Sequence, residues 1–322
     1  MAINQVDYIW RNGALIPWAD AQVHVLSHAL HYGTSFFEGI RSYDTPAGPA
    51  VFRLTDHVKR LIDSARIYSI DLPYTAQELA EACKQVLREN KLGSAYLRPI
   101  SFIGYGSIGV VPAQDAPIDT YIAAFPWGAY LGEDARTKGV DVCVSSWNRL
   151  APNTAPTAAK AGGNYLSSYL ISREAKSRGY AEGIGLDVDG RLSEGAGENL
   201  FLVKDGKLMT PPASSSILQG ITRDSVIRLA KREGLDVVEQ TLPREMLYLC
   251  DEAFFTGTAA EVTPIRSIDD KTTRAAGAGP VTKLIMDRFF GLFEGRTQDD
   301  WGWLEPVNAQ AQETGHDNAV AV

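Results

Sequence analysis

A chain of 322 residues has room for one large or two ordinary domains, and 45% apolar with 22% charged residues is a globular composition whose core needs no metal or disulfide to hold it. The formal net charge of −8 argues against nucleic acid and anionic membranes as partners, because both attract basic surfaces. Cys83, Cys143 and Cys250 are odd in number and far apart, so three reduced thiols are expected, with no disulfide framework, zinc spacing or other metal site.

The start of the chain lacks a basic segment followed by an apolar one, and no apolar run is long enough to span a bilayer, so a cytoplasmic protein is expected. The first third reads as mixed α and β. A compact stretch from Val23 to His31 carries three histidines. Val58, Leu61, Ile62, Ala65 and Ile67 predict a helix over Thr55 to Tyr68, with Asp56 suited to its N-terminal dipole. Leu79, Ala82, Cys83, Val86 and Leu87 predict a second over Thr75 to Asn90, with Gly93 as a stop signal. Tyr96 to Ile103 and Thr120 to Phe125 read as strands buried on two faces. Pro126 to Lys138 reads as a junction, and Val140, Val142 and Val144 alternate as in a strand. The loop Pro152 to Gly163 is rich in Ala, Thr, Pro and Gly, and a helix from Asn164 to Arg178 follows, ended by Gly179. Asp189-Gly190 and Asp205-Gly206 signal tight hairpins. Gly220 to Asp224 opens a helix with Val226, Ile227, Leu229 and Ala230 inward, Thr222 as its expected N-cap and Gly234 as its end. Glu252 to Phe255 is a short strand, Gly279 to Phe293 an amphipathic helix, and Ala309 to Val322 a tail expected to be disordered. No internal repeat is visible.

Gly104-Tyr-Gly-Ser-Ile-Gly109 matches the dinucleotide-binding spacing, but Val110-Val111-Pro112 follows where a long helix would have to open. A glycine loop is the better reading. Phosphate could be held at Gln219 to Thr222, where a helix begins, at Thr256-Gly257-Thr258, or by Arg60; taken singly, each is more often a plain cap, a turn or a surface arginine. Lys160 lies among small residues in Ala158-Ala-Lys-Ala-Gly-Gly163, either partly shielded from water as an amine nucleophile or solvated in a loop. Glu194 and Glu198 sit near two glycines, as an acid–base pair or as a polar turn.

Read in order, longer blocks resemble the bacterial branched-chain-amino-acid aminotransferases, members of the fold type IV pyridoxal-phosphate enzymes. The blocks are His31-Tyr-Gly-Thr-Ser-Phe-Phe-Glu-Gly-Ile-Arg41, Ala124 to Gly132, Ser145-Ser-Trp-Asn-Arg149, Ala158 to Ser168, Ser193-Glu-Gly-Ala-Gly-Glu-Asn-Leu-Phe201, Gly220-Ile-Thr-Arg-Asp224 and Gly257 to Pro264. The likeness runs from about Asp7 to Val307 and is weakest over Gly104 to Ala116.

The resemblance implies a mixed α/β, two-domain fold: a small N-terminal α/β domain over 1–126, a linker over 127–138, and a larger C-terminal domain over 139–308 with a β-barrel-like core, followed by the tail 309–322. It implies pyridoxal 5′-phosphate as cofactor and transamination between leucine, isoleucine or valine and 2-oxoglutarate, giving the 2-oxo acid and glutamate. Lys160 matches the lysine that holds the cofactor covalently, Glu194 the acid beside the pyridine nitrogen, and Tyr165 the phenol near the ring oxygen. Arg60, Ile221, Thr222 and Thr258 match the phosphate cup, and Leu218 the residue packed on the ring. Phe37, Gly39, Tyr96, Arg98, Tyr130, Thr258 and Ala259 match the substrate pocket, with Tyr32 contributed to the partner subunit of a homodimer or of a hexamer built from such dimers. The chain departs from none of these positions. Relatives on the same scaffold, acting on D-amino acids, amines or aminodeoxychorismate, share the lysine and the acid; His31 to Arg41 with Arg98 favours the branched-chain reading.

Overall fold

The computed structural model describes residues 3–128, 131–132 and 134–308; Tyr130 and the expected tail lie outside them. Among the described residues the strands form two sheets. The first opens with a hairpin of β1 (Tyr8–Arg11) and β2 (Ala14–Pro17), closed by Asn12-Gly13 with φ of 46° and 99°. Positive φ at both turn residues matches the twist of the strands they join. It continues with β3 (Ser35–Phe37), β4 (Ile40–Thr45), β5 (Gly48–Phe52), β6 (Ala95–Ile103) and β7 (Ile118–Phe125). The short helix α1 (His28–Tyr32) precedes β3.

Helices α2 (Leu54–Ile67) and α3 (Ala76–Glu89) are where the apolar spacing predicts them. Thr75 and Glu78 form a reciprocal capping box at α3, and Leu79, Ala82, Cys83, Val86 and Leu87 are the buried face. Together with Val58, Leu61 and Ala65 of α2 they pack on Trp10, Ile40, Val51 and Leu97 of the sheet. The Gly104 loop joins the antiparallel strands β6 and β7 and opens no helix, so it lacks the strand-to-helix turn that dinucleotide binding needs.

The second sheet contains β8 (Val140–Val144), β9 (Glu182–Leu186), β10 (Leu192–Gly195), β11 (Asn199–Lys204), β12 (Lys207–Thr210), β13 (Val237–Glu239), β14 (Glu252–Gly257), β15 (Glu261–Ile268) and β16 (Lys271–Thr272). It is mixed and curls as a half-barrel in the order β10-β9-β8-β15-β14-β11-β12-β13. Asp205-Gly206 closes a two-residue hairpin with φ of 49° and 79°, whereas Asp189-Gly190 lies in a five-residue turn whose Asp187 carboxylate accepts from the Asp189 and Arg191 N–H groups. The remaining helices are α4 (Ala135–Lys138), inside the expected junction, α5 (Tyr165–Ser177), α6 (Ile221–Arg232), α7 (Met246–Leu249) and α8 (Pro280–Phe293). Helices α6 and α8 cover the sheet around Phe201, Val203 and Phe254, with Phe289 of α8 in the same core. The last strand, β17 (Leu304–Pro306), returns to the first sheet and pairs with β5.

Thr222 is not the N-cap of α6. Gly220 holds that position, and its side chain is absent for a steric reason: a Cβ there would lie 2.0 Å from Asn199 Oδ1. No side chain caps the helix, so its first N–H groups are left free. No helix among the described residues is long and apolar enough to cross a membrane.

Candidate active site

One cleft is lined by residues from both sheets, with about 1040 Å³ counted to its open mouth. Phe37, Gly39, Tyr96 and Arg98 reach it from the first sheet, and Arg60 from α2. Glu194, Glu198, Asn199, Leu218, Ile221, Thr222, Thr258 and Ala259 reach it from the second half, Lys160 from the loop leading into α5 and Tyr165 from the start of that helix. Tyr32 does not line this cleft; it stands exposed on α1.

Lys160 is fixed by its backbone. Its N–H donates to Ser64 Oγ on α2 at 3.0 Å, and its carbonyl accepts from the Phe37 N–H at 3.1 Å. Ala159 and Ala161 on either side are buried in the first core, which explains the small residues around the lysine. Asn164 ties the loop by donating to the carbonyls of Pro156 and Ala159. Half-buried Lys160 then donates from Nζ to Tyr165 Oη at 2.6 Å.

Glu194 is buried and takes hydrogen bonds from Arg149 Nη2 at 2.6 Å, Asn199 Nδ2 at 3.0 Å and the Leu218 N–H at 3.1 Å. Burial raises its pKa and wins, although the Arg149 charge and the Leu218 N–H pull the other way. Four residues on, Glu198 is buried with one donor, the Gly197 N–H at 3.0 Å, and burial together with the Glu182 charge pushes it up to about 8.

Arg60 is engaged on three sides. Nε and Nη2 donate to the two oxygens of Glu38 at 2.7 and 2.8 Å, and Nη1 to the Gln219 carbonyl at 3.1 Å. His57 donates from Nδ1 to the same carboxylate at 2.7 Å. Burial would raise the pKa of Glu38, but Arg60 and His57 outweigh it and hold the acid well below the usual carboxylate range. Burial holds His57 below its ordinary value in spite of Glu38.

Arg98 is held differently. Nη2 donates to Tyr96 Oη at 3.0 Å and the guanidinium lies 4.8 Å from the Phe37 ring centre. Among the described residues it meets no carboxylate, and its buried Nε has no partner. Gly39 makes room for the Tyr96 hydroxyl, which would lie 2.0 Å from any Cβ at that position, and the Tyr96 ring stacks on Trp127 at 4.8 Å.

The cleft thus offers an amine, an under-compensated buried acid and a helix N-terminus with free N–H groups, and Thr256 Oγ1 is buried beside them without a partner. That donor set fits pyridoxal phosphate: a lysine for its aldehyde, an acid for its ring nitrogen, and N–H groups with an arginine for its phosphate. Among the described residues no group of three His, Cys, Asp or Glu side chains could hold a metal ion. The residues that sequence reasoning did not single out are Glu38, His57, Arg149, Asn199 and Trp127. Glu38 carried a signal, since a charge inside the apolar run Phe36 to Ile40 calls for a buried partner.

A model of the family described as amino-transferase class IV matches residues 35–268. The branched-chain-amino-acid aminotransferase of Salmonella typhimurium is 60% identical over 309 residues, 96% of this chain and 100% of that one. The crystal structure of the Escherichia coli branched-chain amino acid aminotransferase superposes with a TM-score of 0.94 at 60% identity, covering 94% of this chain and 100% of the other. That of the branched-chain amino acid aminotransferase from Thermobaculum terrenum, in its PLP-form, gives 0.86 at 36% identity, covering 94% of this chain and 99% of the other.

Proposed function

Since this chain belongs to the amino-transferase class IV family, we propose that it moves an amino group between leucine, isoleucine or valine and 2-oxoglutarate, with pyridoxal 5′-phosphate as its cofactor. The observation that carries the reading is the convergence on one cleft of Lys160 Nζ, the Glu194 carboxylate and the uncapped start of α6. When bound, the cofactor supplies an aldehyde for amines and a ring that withdraws electrons from the carbon losing its proton.

The chain's own residues divide the remaining work. Arg60, Thr258 and the N–H groups of Ile221 and Thr222 bind the phosphate, and Leu218 packs on the ring. Glu194 holds a proton at the ring nitrogen, while Arg149 and Asn199 fix the direction of its carboxylate. Lys160 Nζ holds the cofactor between turnovers and, once released, takes and returns the α-carbon proton of the substrate; Tyr165 Oη, 2.6 Å away, sets where that amine sits. Phe37, Tyr96 and Trp127 form an apolar wall for a branched side chain, next to the backbone at Gly39 and Ala259. Arg98, free of any described carboxylate, reads the side-chain carboxylate of glutamate and 2-oxoglutarate.

The same reading takes 1–126 and 139–308 as two domains joined by 127–138, in a cytoplasmic homodimer. Val25, Leu30, Tyr32, Ile108, Val110 and Val111 are exposed, Val111 by 84%, and leaving so much apolar surface in water is costly. A second copy covering it would bring Tyr32 to its partner's pocket. A panel of amino donors with 2-oxoglutarate tests the activity: glutamate should form fastest from leucine, isoleucine and valine. Formation only from D-alanine or simple amines would overturn the reading.

A further inference from the structure

The proposed phosphate cup draws on two separate parts of the chain, Arg60 on α2 and the first turn of α6. Those two helices pack in different cores, so something must set the start of one against the other. Arg53, the residue before α2, is placed to do so. Its backbone has φ 53°, a left-handed conformation unfavourable for a residue with a side chain. Its buried guanidinium donates from Nε to Asp56 Oδ2 at 2.7 Å, in the first turn of α2. From Nη1 it donates to the Ile221 carbonyl at 3.1 Å, to Asp224 Oδ2 at 2.6 Å and to Ser225 Oγ at 2.9 Å, all in the opening of α6. Its face lies 5.1 Å from the Trp303 ring centre, and its N–H donates to the Trp303 carbonyl at 2.7 Å. A lysine cannot reproduce this, because one ammonium cannot reach both helices while lying flat on an indole.

We propose that Arg53 is a positioning residue for the cofactor's phosphate: it fixes the first turn of α6 relative to Arg60, so that the Ile221 and Thr222 N–H groups and the arginine fork converge on one anion. The inference rests on the cup assigned above and goes beyond it, since Arg53 does not itself line the cleft and acts only through its bonds to the opening of α6.

Pyridoxal 5′-phosphate and pyridoxal separate this role from general support of the fold, because pyridoxal has no phosphate. Dissociation constants for both, and for inorganic phosphate, are measured on the full chain stripped of cofactor, as wild type, Arg53→Lys and the double variant Asp224→Asn with Ser225→Ala. The double variant removes the charge and the hydroxyl that Arg53 meets on α6, leaving there only the Ile221 carbonyl and a neutral carboxamide, and keeps Arg53 paired to Asp56, so it serves even where Arg53→Lys does not fold. Either variant should weaken pyridoxal 5′-phosphate and inorganic phosphate by about tenfold while pyridoxal changes less than about twofold. Equal weakening of pyridoxal and its phosphate, or no weakening of either, would overturn the role of Arg53. A wild-type protein that binds both forms alike, with no competition by phosphate, would instead overturn the phosphate cup.

Discussion

Glu38 and Glu194 are buried carboxylates flanking one cleft, and each takes a short hydrogen bond from an arginine, at 2.7 Å from Arg60 and at 2.6 Å from Arg149. Their proton affinities nevertheless move in opposite directions. Glu38 meets Arg60 through both oxygens and His57 as well, and the chain alone keeps it ionised. Glu194 meets Arg149 through one oxygen and neutral donors through the other, and burial leaves its pKa raised. The first cluster is complete within the protein and serves to hold Arg60. The second is short of positive charge, and a protonated ring nitrogen would supply it.

The largest expected effect is at Lys160, on which any role for either acid depends. Lys160→Ala should lower transamination by about 10⁴-fold or more, since it removes both the holding amine and the acid–base group. Borohydride should fix the cofactor to the Lys160 peptide of the wild type; label on another lysine would remove the basis for comparing the acids at all.

Glu194→Gln keeps shape and removes charge. Turnover should fall by roughly two to four decades with a smaller change in cofactor affinity, because the charge acts on the step that breaks the bond to hydrogen. Near wild-type turnover would transfer the role to Glu198 or abolish it.

Arg98→Met should slow the glutamate half-reaction by about one and a half to three decades, from the roughly 2–4 kcal/mol that a lost charged hydrogen bond costs, and should affect leucine much less. Equal losses in single-turnover rates would make Arg98 a support of the pocket.

Glu38→Gln should act on stability instead. Leaving the half-buried Arg60 and the buried His57 without their counter-charge should cost up to about 3 kcal/mol, the lower end for a broken buried pair. The folded pKa of Glu38 is depressed, so its contribution is present above the ordinary carboxylate range and is lost as pH falls through the folded value. The deficit of the variant in thermal midpoint should therefore shrink in acid. A deficit that is equal at acid and neutral pH would mean that packing, not charge, is what Glu38 contributes.

The smallest effect is at Glu198, whose pKa is pushed up to about 8. An acid with a raised folded pKa stabilises below its unfolded value and loses that contribution as pH rises through the folded one. Glu198→Gln should thus match the wild type at about pH 5, near the unperturbed carboxylate value, and surpass it in thermal midpoint as pH approaches about 8. No divergence would place the Glu198 proton elsewhere.

What was legible in the chain follows from the distance over which each feature is determined. Helices α2 and α3 show in the spacing of Val58, Leu61 and Ala65 and of Leu79, Cys83 and Val86, because a helix buries one face of a contiguous stretch. Strand β4 shows no alternation, since Ile40, Arg41 and Ser42 are all buried, and it escapes a period-two reading. The short blocks around Lys160, Glu194 and Gly220 show through their resemblance to a family. Glu38 and Arg149 do not declare their partners, because Arg60 lies 22 residues away and Glu194 lies 45 residues away. That the cap of α6 is a glycine, Gly220, has a reason equally remote, the carboxamide of Asn199.

The most direct test is nitrogen NMR of ring-labelled pyridoxal 5′-phosphate bound to the wild type, to Glu194→Gln and to Glu38→Gln. The ring nitrogen should be protonated in the wild type and in Glu38→Gln, and should lose its proton in Glu194→Gln. An unprotonated nitrogen in the wild type, or the same loss in Glu38→Gln, would contradict the division between a carboxylate satisfied by the chain and one completed by the cofactor.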